Sequence, residues 1–360
     1  NMHEELSGVR IMAYTTIDDP SVYFQTLLYT GNGSARSLTN DGNSDLQPDW
    51  VWIKERNNAV DHQLQDSSRG VTKTLQSNQN YGESTLTDII TSFNSDGFSL
   101  GNNATWNGNN DTYVAWQWKA NGGTTASNTD GSITSTVQAN TTAGFSIVTF
   151  SGNTTAGATV GHGLGVAPHY VQVKRRDRDG DAWRGFWEPL GNEKYLELNA
   201  TDGQQDSTTG AWNDTSPTSS VFSLGSAAGI NGGNMVAYCF APIQGYSKIG
   251  VFTGNGSTNG PFVYTGFKPA WLMIKETISG GSWGMWDNKR TPTNTMKIRL
   301  LANTSAADDT SNDNSVDFLS NGFKMRTSSG SFNQSSTEII YIAFAEHPFV
   351  SSKGVPVTAR

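Results

Sequence analysis

Four tryptophans set the first chemical question. Trp183 and Trp187 lie in Trp183-Arg184-Gly185-Phe186-Trp187, and Trp283 and Trp286 in Trp283-Gly284-Met285-Trp286-Asp287. An indole open to solvent offers a flat apolar face to a sugar ring, and interleaved Gly and Arg leave space and donors beside it. Trp183, Trp187, Trp283 and Trp286 are therefore the candidate glycan contacts. The competing reading is that these rings cap hydrophobic cores, because the positions around them recur as apolar columns along the chain.

Other chemistry finds less support. Glycan hydrolysis needs two carboxylates facing each other across a cleft. The 32 acidic residues fall mostly in loop-like sequence, and no pair holds the same column in two repeats. His3, His62, His162, His169 and His347 show no HExxH or other close metal spacing. Asp177, Asp179 and Asp181 around Gly180 resemble a calcium loop, but the glycine is misplaced and no glutamate closes it. Interleaved with Lys174, Arg175, Arg176 and Arg178, they read as a salt-laced hairpin tip. Gly31-Asn32-Gly33 and Gly254-Asn255-Gly256 read as hairpin turns, with no following helix to hold phosphate. The sequons at Asn32, Asn153, Asn199 and Asn255 follow from composition. No catalytic residue, metal site or cofactor is expected.

The elements that position these residues are repeated. Pro48-Asp49-Trp50-Val51-Trp52-Ile53-Lys54 returns as Pro168-His169-Tyr170-Val171-Gln172-Val173-Lys174 and as Pro269-Ala270-Trp271-Leu272-Met273-Ile274-Lys275. Side chains alternate across a strand, so Val51/Ile53, Val171/Val173 and Leu272/Ile274 share one face. Trp50, Tyr170 and Trp271 share the other with Lys54, Lys174 and Lys275. The lysine stem is expected to cover the ring on an outer face while its ammonium stays wet.

Five further columns follow in the same order. Gln25–Gly33 matches Phe145–Asn153 and Lys248–Gly256, and then comes the proline-led strand. The hairpin His62–Asp66 matches Trp183–Trp187 and Trp283–Asp287. Lys73–Asn78 matches Lys194–Asn199 and Lys297–Asn303. Asp96–Leu100 matches Ser220–Leu224 and Asn321–Met325. Each unit closes on an apolar strand: Tyr113–Trp118, Met235–Phe240 and Ile339–Phe344. Every column reads as strand or turn, and none as a helix of three turns.

The predicted fold is all-β: three tandem antiparallel β-sandwiches of about 100 residues each, jelly-roll-like. The expected division is a lead-in at 1–24, repeats at 25–120, 145–242 and 243–347, a linker at 121–144 and a C-terminal arm at 348–360. Ile133 and Val137 give the linker two strand-spaced anchors, enough to add an edge strand to a neighbour. Pro242-Ile243-Gln244-Gly245 is too short for free pivoting, so the second and third units should form a stiff pair. Each unit is expected to bury its own core and to unfold by itself.

Composition narrows the partners. Charged residues make up 16 %, Gly numbers 39 and Trp 11, which suits short strands and tight turns. A net charge of −8 argues against nucleic acid or an anionic membrane surface as partner. No apolar run is long enough to insert in a membrane, and Asn1-Met2-His3-Glu4-Glu5 lacks the look of a signal peptide. Cys239, the one cysteine, should be a buried small hydrophobe.

Gly161-His162-Gly163-Leu164-Gly165-Val166-Ala167-Pro168 resembles the "H-x-LG-x-x-P" opening of many phage tail-fibre and receptor-binding modules. The wider pattern is similar to a repeat family of tailed phages of marine bacteria. It rests on Tyr29–Gly33, Pro48–Lys54, Asn128–Thr134, Gly161–Pro168 and Ala343–Pro348, and spans the chain from about residue 14 onward. The second and third repeats depart from the full signature, and His162 has no equivalent in Gly266-Phe267-Lys268-Pro269. The resemblance implies a non-enzymatic virion protein assembled in the bacterial host cytoplasm, a tail fibre or knob. Its implied partners are other virion proteins and further copies of itself, with a trimer as the guess. Two alternatives are a carbohydrate-binding adhesin that attaches to host surface glycans and a capsid decoration protein.

Overall fold

The computed structural model describes residues 14–207, 209–278, 280–311 and 314–349. Most of the expected lead-in and of the C-terminal arm lies outside those residues, as does His3.

Each repeat builds one large antiparallel sheet, and all three share a strand order. In the first it runs Phe24–Thr30, Thr112–Trp118, Trp50–Glu55, Gln63–Asp66, Lys73–Leu75. In the second it runs Phe145–Asn153, Gly232–Phe240, Tyr170–Arg175, Arg184–Trp187, Lys194–Glu197. In the third it runs Ser247–Thr253, Glu338–Pro348, Phe267–Glu276, Gly284–Asp287, Leu300–Leu301. The closing strand therefore sits between the opening and proline-led strands in every copy. The six columns read from the sequence are these five strands plus one from a smaller second sheet, which carries Phe98–Leu100, Val221–Leu224 or Gly322–Met325. The all-β expectation holds. Among the described residues the two α-helices, Ala228–Asn231 and Gly330–Asn333, are single turns.

The aliphatic faces lie where alternation puts them. Val51 and Ile53 pack with Phe98 and Leu100, Val171 and Val173 with Phe222 and Leu224, Leu272 and Ile274 with Phe323 and Met325. Each repeat thus closes a small core between its two sheets. Cys239 is buried in the second of them, and burial pushes its thiol up to about 12.

The opposite face corrects the sequence reading. Instead of meeting water, the aromatic faces of all three large sheets converge on one shared core. Its layers follow the strand register. Trp50 pairs with Trp118, Tyr170 with Phe240 and Trp271 with Phe344. The next layer is Trp52/Trp116, Gln172/Tyr238 and Met273/Ile342, and the third is Lys54/Val114, Lys174/Val236 and Lys275/Ile340. Rings interlock across repeats: Trp50 stacks on Tyr238 at 4.4 Å, Phe24 on Phe344 at 5.3 Å, and Trp118 meets Trp271 edge-on at 5.7 Å. Aromatic side chains bury so much area that three such faces leave water together. The three repeats therefore form one body, where a stiff pair of the second and third was expected.

The linker does add strands to a neighbour. Ser135–Asn140 pairs with Phe145–Asn153, and Ala126–Asn128 pairs with it in turn. Ile133 and Val137 are buried in the second repeat's core, as their spacing implied. The start of the segment is pinned to the first repeat, where the Asp49 carboxylate accepts from the backbone N–H groups of Ala120, Gly122 and Gly123 at 2.7–2.8 Å.

A shared core predicts shared melting. Trp118→Ala should cost about 3–5 kcal/mol and Ile53→Ala about 2–4 kcal/mol, and each should lower a single transition of the whole chain in scanning calorimetry. Two or three separable endotherms would show that the repeats fold independently.

Candidate functional site

Trp183, Trp187, Trp283 and Trp286 are all at most 1 % exposed. The first three belong to the shared core and Trp286 to the third repeat's own core. None offers a ring face to solvent, so their reading as open sugar platforms gives way to the alternative of core packing. The reason is positional. Trp183, Trp187 and Trp283 lie on or just before a hairpin strand at the seam where one large sheet meets the next, while Trp286 points to the opposite face, into the core between its own repeat's two sheets.

The seams are built from equivalent residues. One residue before each hairpin strand stand His62, Trp183 and Trp283. Each accepts a fixed place from an asparagine, because its main-chain N–H donates to Asn78, Asn199 or Asn303 at 2.8–3.0 Å. Each ring nitrogen then crosses to a neighbouring repeat. Trp183 Nε1 donates to Gln76 O at 2.8 Å, Trp283 Nε1 to Glu197 O at 3.0 Å, and His62 Nε2 to Leu301 O at 2.9 Å. Trp52 Nε1 donates to His62 Nδ1 at 2.8 Å, which fixes the tautomer with hydrogen on Nε2. The accepting carbonyls again hold equivalent positions, one past Leu75, Leu196 and Leu300. The three bonds form a closed circuit: second repeat to first, first to third, third to second.

Two seams carry the same buried ionic device. Between the first and second repeats, Asp66 binds Arg69 at 2.5 Å and accepts from Tyr238 Oη at 2.7 Å. Glu83 bridges Arg69 and Arg176 at 2.9 and 2.8 Å. Between the third and first, Asp287 binds Arg290 at 2.6 Å and accepts from Trp116 Nε1 at 3.1 Å. There Asp308 bridges Arg290 and Arg56 at 3.0 and 2.8 Å. At the remaining seam Trp187 and Leu190 take the places of the Asp–Arg pair, and Trp187 stacks on Trp283 at 5.7 Å. One seam is thus apolar where two are ionic.

The lysines correct a second expectation. Lys54, Lys174 and Lys275 are 0 % exposed, so no ammonium is wet. Each donates to main-chain carbonyls instead: Lys54 to Glu55 O, Lys174 to Asp181 O and across the seam to Asn80 O, Lys275 to Glu276 O and across to Thr201 O. Burial lowers all three to about 8. Burial likewise holds His62 at about 3, and Lys54 nearby adds to the effect.

The remaining candidates have structural partners. His162 Nδ1 accepts from Leu164 N at 3.2 Å and Nε2 bonds Thr218 O at 3.1 Å, which locks the turn before the proline-led strand. His169 and His347 each lie 3.9 Å from a glutamate, Glu188 and Glu346. The Asp177–Asp181 loop is the expected salt-laced tip, with Arg175–Asp177 at 2.7 Å and Arg178–Asp181 at 2.8 Å. Among the described residues no group of three His, Cys, Asp or Glu side chains gathers as a metal site requires, and no helix is long and apolar enough to cross a membrane.

Sequence reasoning missed one repeated device. Asn107, Asn231 and Asn333 are buried, and each accepts from the main-chain N–H of Asn32, Asn153 or Asn255 at 2.9–3.2 Å. Their amides donate to two carbonyls or more, such as Gly101 O, Gly225 O and Thr327 O at 2.7–2.8 Å. The signal was there: an asparagine lies about one turn before each closing strand. It was hidden by loops of unequal length.

Residues 19–348 match a family described as a domain of unknown function, DUF7483. No curated protein and no solved structure gives a match.

The buried bases fix two pH responses. His62 is neutral when folded but titrates near 6.5 unfolded, so the unfolded chain gains a proton first. Stability should fall as pH drops from 6.5 toward 3, and denaturant melts of His62→Gln should show a flatter curve over that window. The buried lysines act in the opposite range. Between pH 8 and 10.5 the folded amines are neutral while the unfolded ones are charged, so their cost to folding is relieved as pH rises. Lys174→Met should remove its share of that slope; an unchanged slope would mean a solvated amine.

Proposed function

For a chain that belongs to the DUF7483 family, we propose a non-enzymatic structural role as the rigid head of a bacteriophage surface appendage, a tail fibre or knob. A capsid decoration protein is the alternative placement of the same head. One observation carries this reading: three copies of one sheet close in a ring around a shared aromatic core, with ring-nitrogen bonds running through every seam. Such a body resists shear in any direction, because opening any one seam exposes the core that the other two share. It suits a part that must keep its shape while presenting loops. The similarity of Gly161–Pro168 to the openings of tail-fibre modules supports the phage setting.

On this reading the partners are other virion proteins. A homo-oligomer would join such heads rather than build them, since threefold closure is already supplied within one chain. The test is direct. Particles purified from the phage that encodes the chain should contain it by mass spectrometry, and antibodies raised against it should decorate the tail tip or fibres in electron micrographs. Its absence from intact particles would refute the assignment, and labelling spread over the head would move it to the capsid.

A further inference from the structure

A cleft of about 170 Å³ opens at the seam between the third and first repeats. Its floor is apolar, formed by Phe24, Ala270 and Ala345, all buried. Thr26 stands beside that floor at 4 % exposure, and its hydroxyl has no hydrogen-bond partner. A buried hydroxyl left unpaired costs roughly 1–3 kcal/mol, and at the wall of a cleft this one is placed where a bound group can satisfy it.

The other repeats show how unusual this position is. Thr26 pairs with Trp116 as Ile147 pairs with Tyr238 and Ile249 with Ile342. Two repeats thus place isoleucine where the first places a hydroxyl. At the matching seam between the first and second repeats, the space is filled by the linker. Gln138, in register with Ile147, donates through Nε2 to Ser67 Oγ and Ser68 Oγ at 2.9 and 2.8 Å. Its Oε1 accepts from Asn121 N and Gly123 N at 3.1 and 2.8 Å. Asn288 and Lys289 are the third repeat's counterparts of Ser67 and Ser68, and they line the cleft. The chain therefore shows what chemistry this place accepts: a neutral group that both donates and accepts.

The walls agree. The side-chain amides of Asn43 and Asn288 make no hydrogen bond to the described residues, and each offers a donor and an acceptor. The charges have partners at ion-pair distance, with Glu346 Oε2 held by proximity to Lys268 rather than by an aligned hydrogen bond. Lys289 pairs with Asp41 at 2.9 Å and Glu346 with Lys268 at 2.7 Å, while His347 lies 3.9 Å from Glu346. A charged ligand would have to break one of these pairs. The volume is below the roughly 300 Å³ at which drug-sized pockets begin, which suits a single ring.

We propose that this cleft binds one neutral pyranose unit, either free or within a longer glycan that continues into solvent. The apolar floor takes the C–H face of the ring, and Thr26, Asn43 and Asn288 take its hydroxyls. This inference goes beyond the structural role and does not rest on it, since a head elsewhere than on a virion could hold the same site.

The experiment uses the full chain against methyl glycosides of glucose, galactose and mannose, neutral oligosaccharides of each, and sialylated and uronate-containing glycans as the acidic arm. Calorimetry or ligand-observed NMR should show saturable binding to at least one neutral sugar. Thr26→Ile, which restores the residue of the other two repeats, should abolish it without lowering the melting temperature. Asn288→Ala and Asn43→Ala should each weaken it about tenfold, the scale of one lost hydrogen bond. Binding to the longer neutral glycans alone would identify the polymer as the source. No saturable binding to any neutral sugar, binding confined to acidic glycans, or binding untouched by all three variants would overturn the proposal.

Discussion

The fold depends on one constraint: each large sheet is apolar on both faces. The small second sheet of each repeat covers the aliphatic face and leaves the aromatic face bare. A repeat standing alone would present Trp50, Trp52, Trp116 and Trp118, or their equivalents, to water. Exposed faces of that size are not tolerated on a soluble monomer. Three of them turned inward remove one another from solvent, and same-face residues two strand steps apart, roughly 6.5 Å, stack the pairs into layers. The shared core is thus the condition on which each sandwich can exist.

Placing the core on an axis dictates what happens at its edges. Where two sheets meet, the hairpin strands bring backbone carbonyls into a dry seam, and these need donors. The ring nitrogens of His62, Trp183 and Trp283 and the ammonium groups of Lys174 and Lys275 serve as those donors, while Lys54 donates to Glu55 O within its own repeat. Burying a lysine costs desolvation that two carbonyl bonds only partly offset, which is why its amine is held near 8. The ionic seams follow the same logic. Arg69 and Arg290 lie fully inside, so each must meet carboxylates on both sides, Asp66 with Glu83 and Asp287 with Asp308. Such pairs specify which surfaces meet more than they add stability.

Much of this is legible in the sequence, and the failures have two causes. Strand identity, order of columns and the aliphatic faces are local properties of alternation, and Val51/Ile53 or Leu272/Ile274 went where period two sends them. The fate of the other face is not local. Trp50-Val51-Trp52-Ile53 is an unbroken apolar run, which marks a strand covered on both sides. A single sandwich would need one of those faces turned outward, with the lysine stem over the ring; the shared core covers that face as well. The tryptophans of the hairpin were misplaced for the same reason, because nothing in Trp183–Trp187 says that another sheet arrives there. The buried asparagines were lost to loop length: Asn107, Asn231 and Asn333 do equivalent work, but only the folded chain aligns them.

Fusing three repeats in one chain frees each from strict symmetry. In a homotrimer every seam must be alike, and a change that suits one is imposed on all three. Here two seams are ionic and one is a tryptophan stack, with Trp187 and Leu190 in place of an Asp–Arg pair. The axis tolerates the difference because the core needs only filled volume, and Ile342 fills the place of Trp116 and Tyr238. The same freedom explains why Thr26 can break the isoleucine column and why Gln138 plugs one seam while Asn288 and Lys289 line an open one. A duplicated fold first has to keep the residues that close its core. Function can then enter wherever one copy stops matching the others, and in this chain each seam carries its own mismatch: Gln138 between the first and second repeats, Trp187 between the second and third, and Thr26 between the third and first.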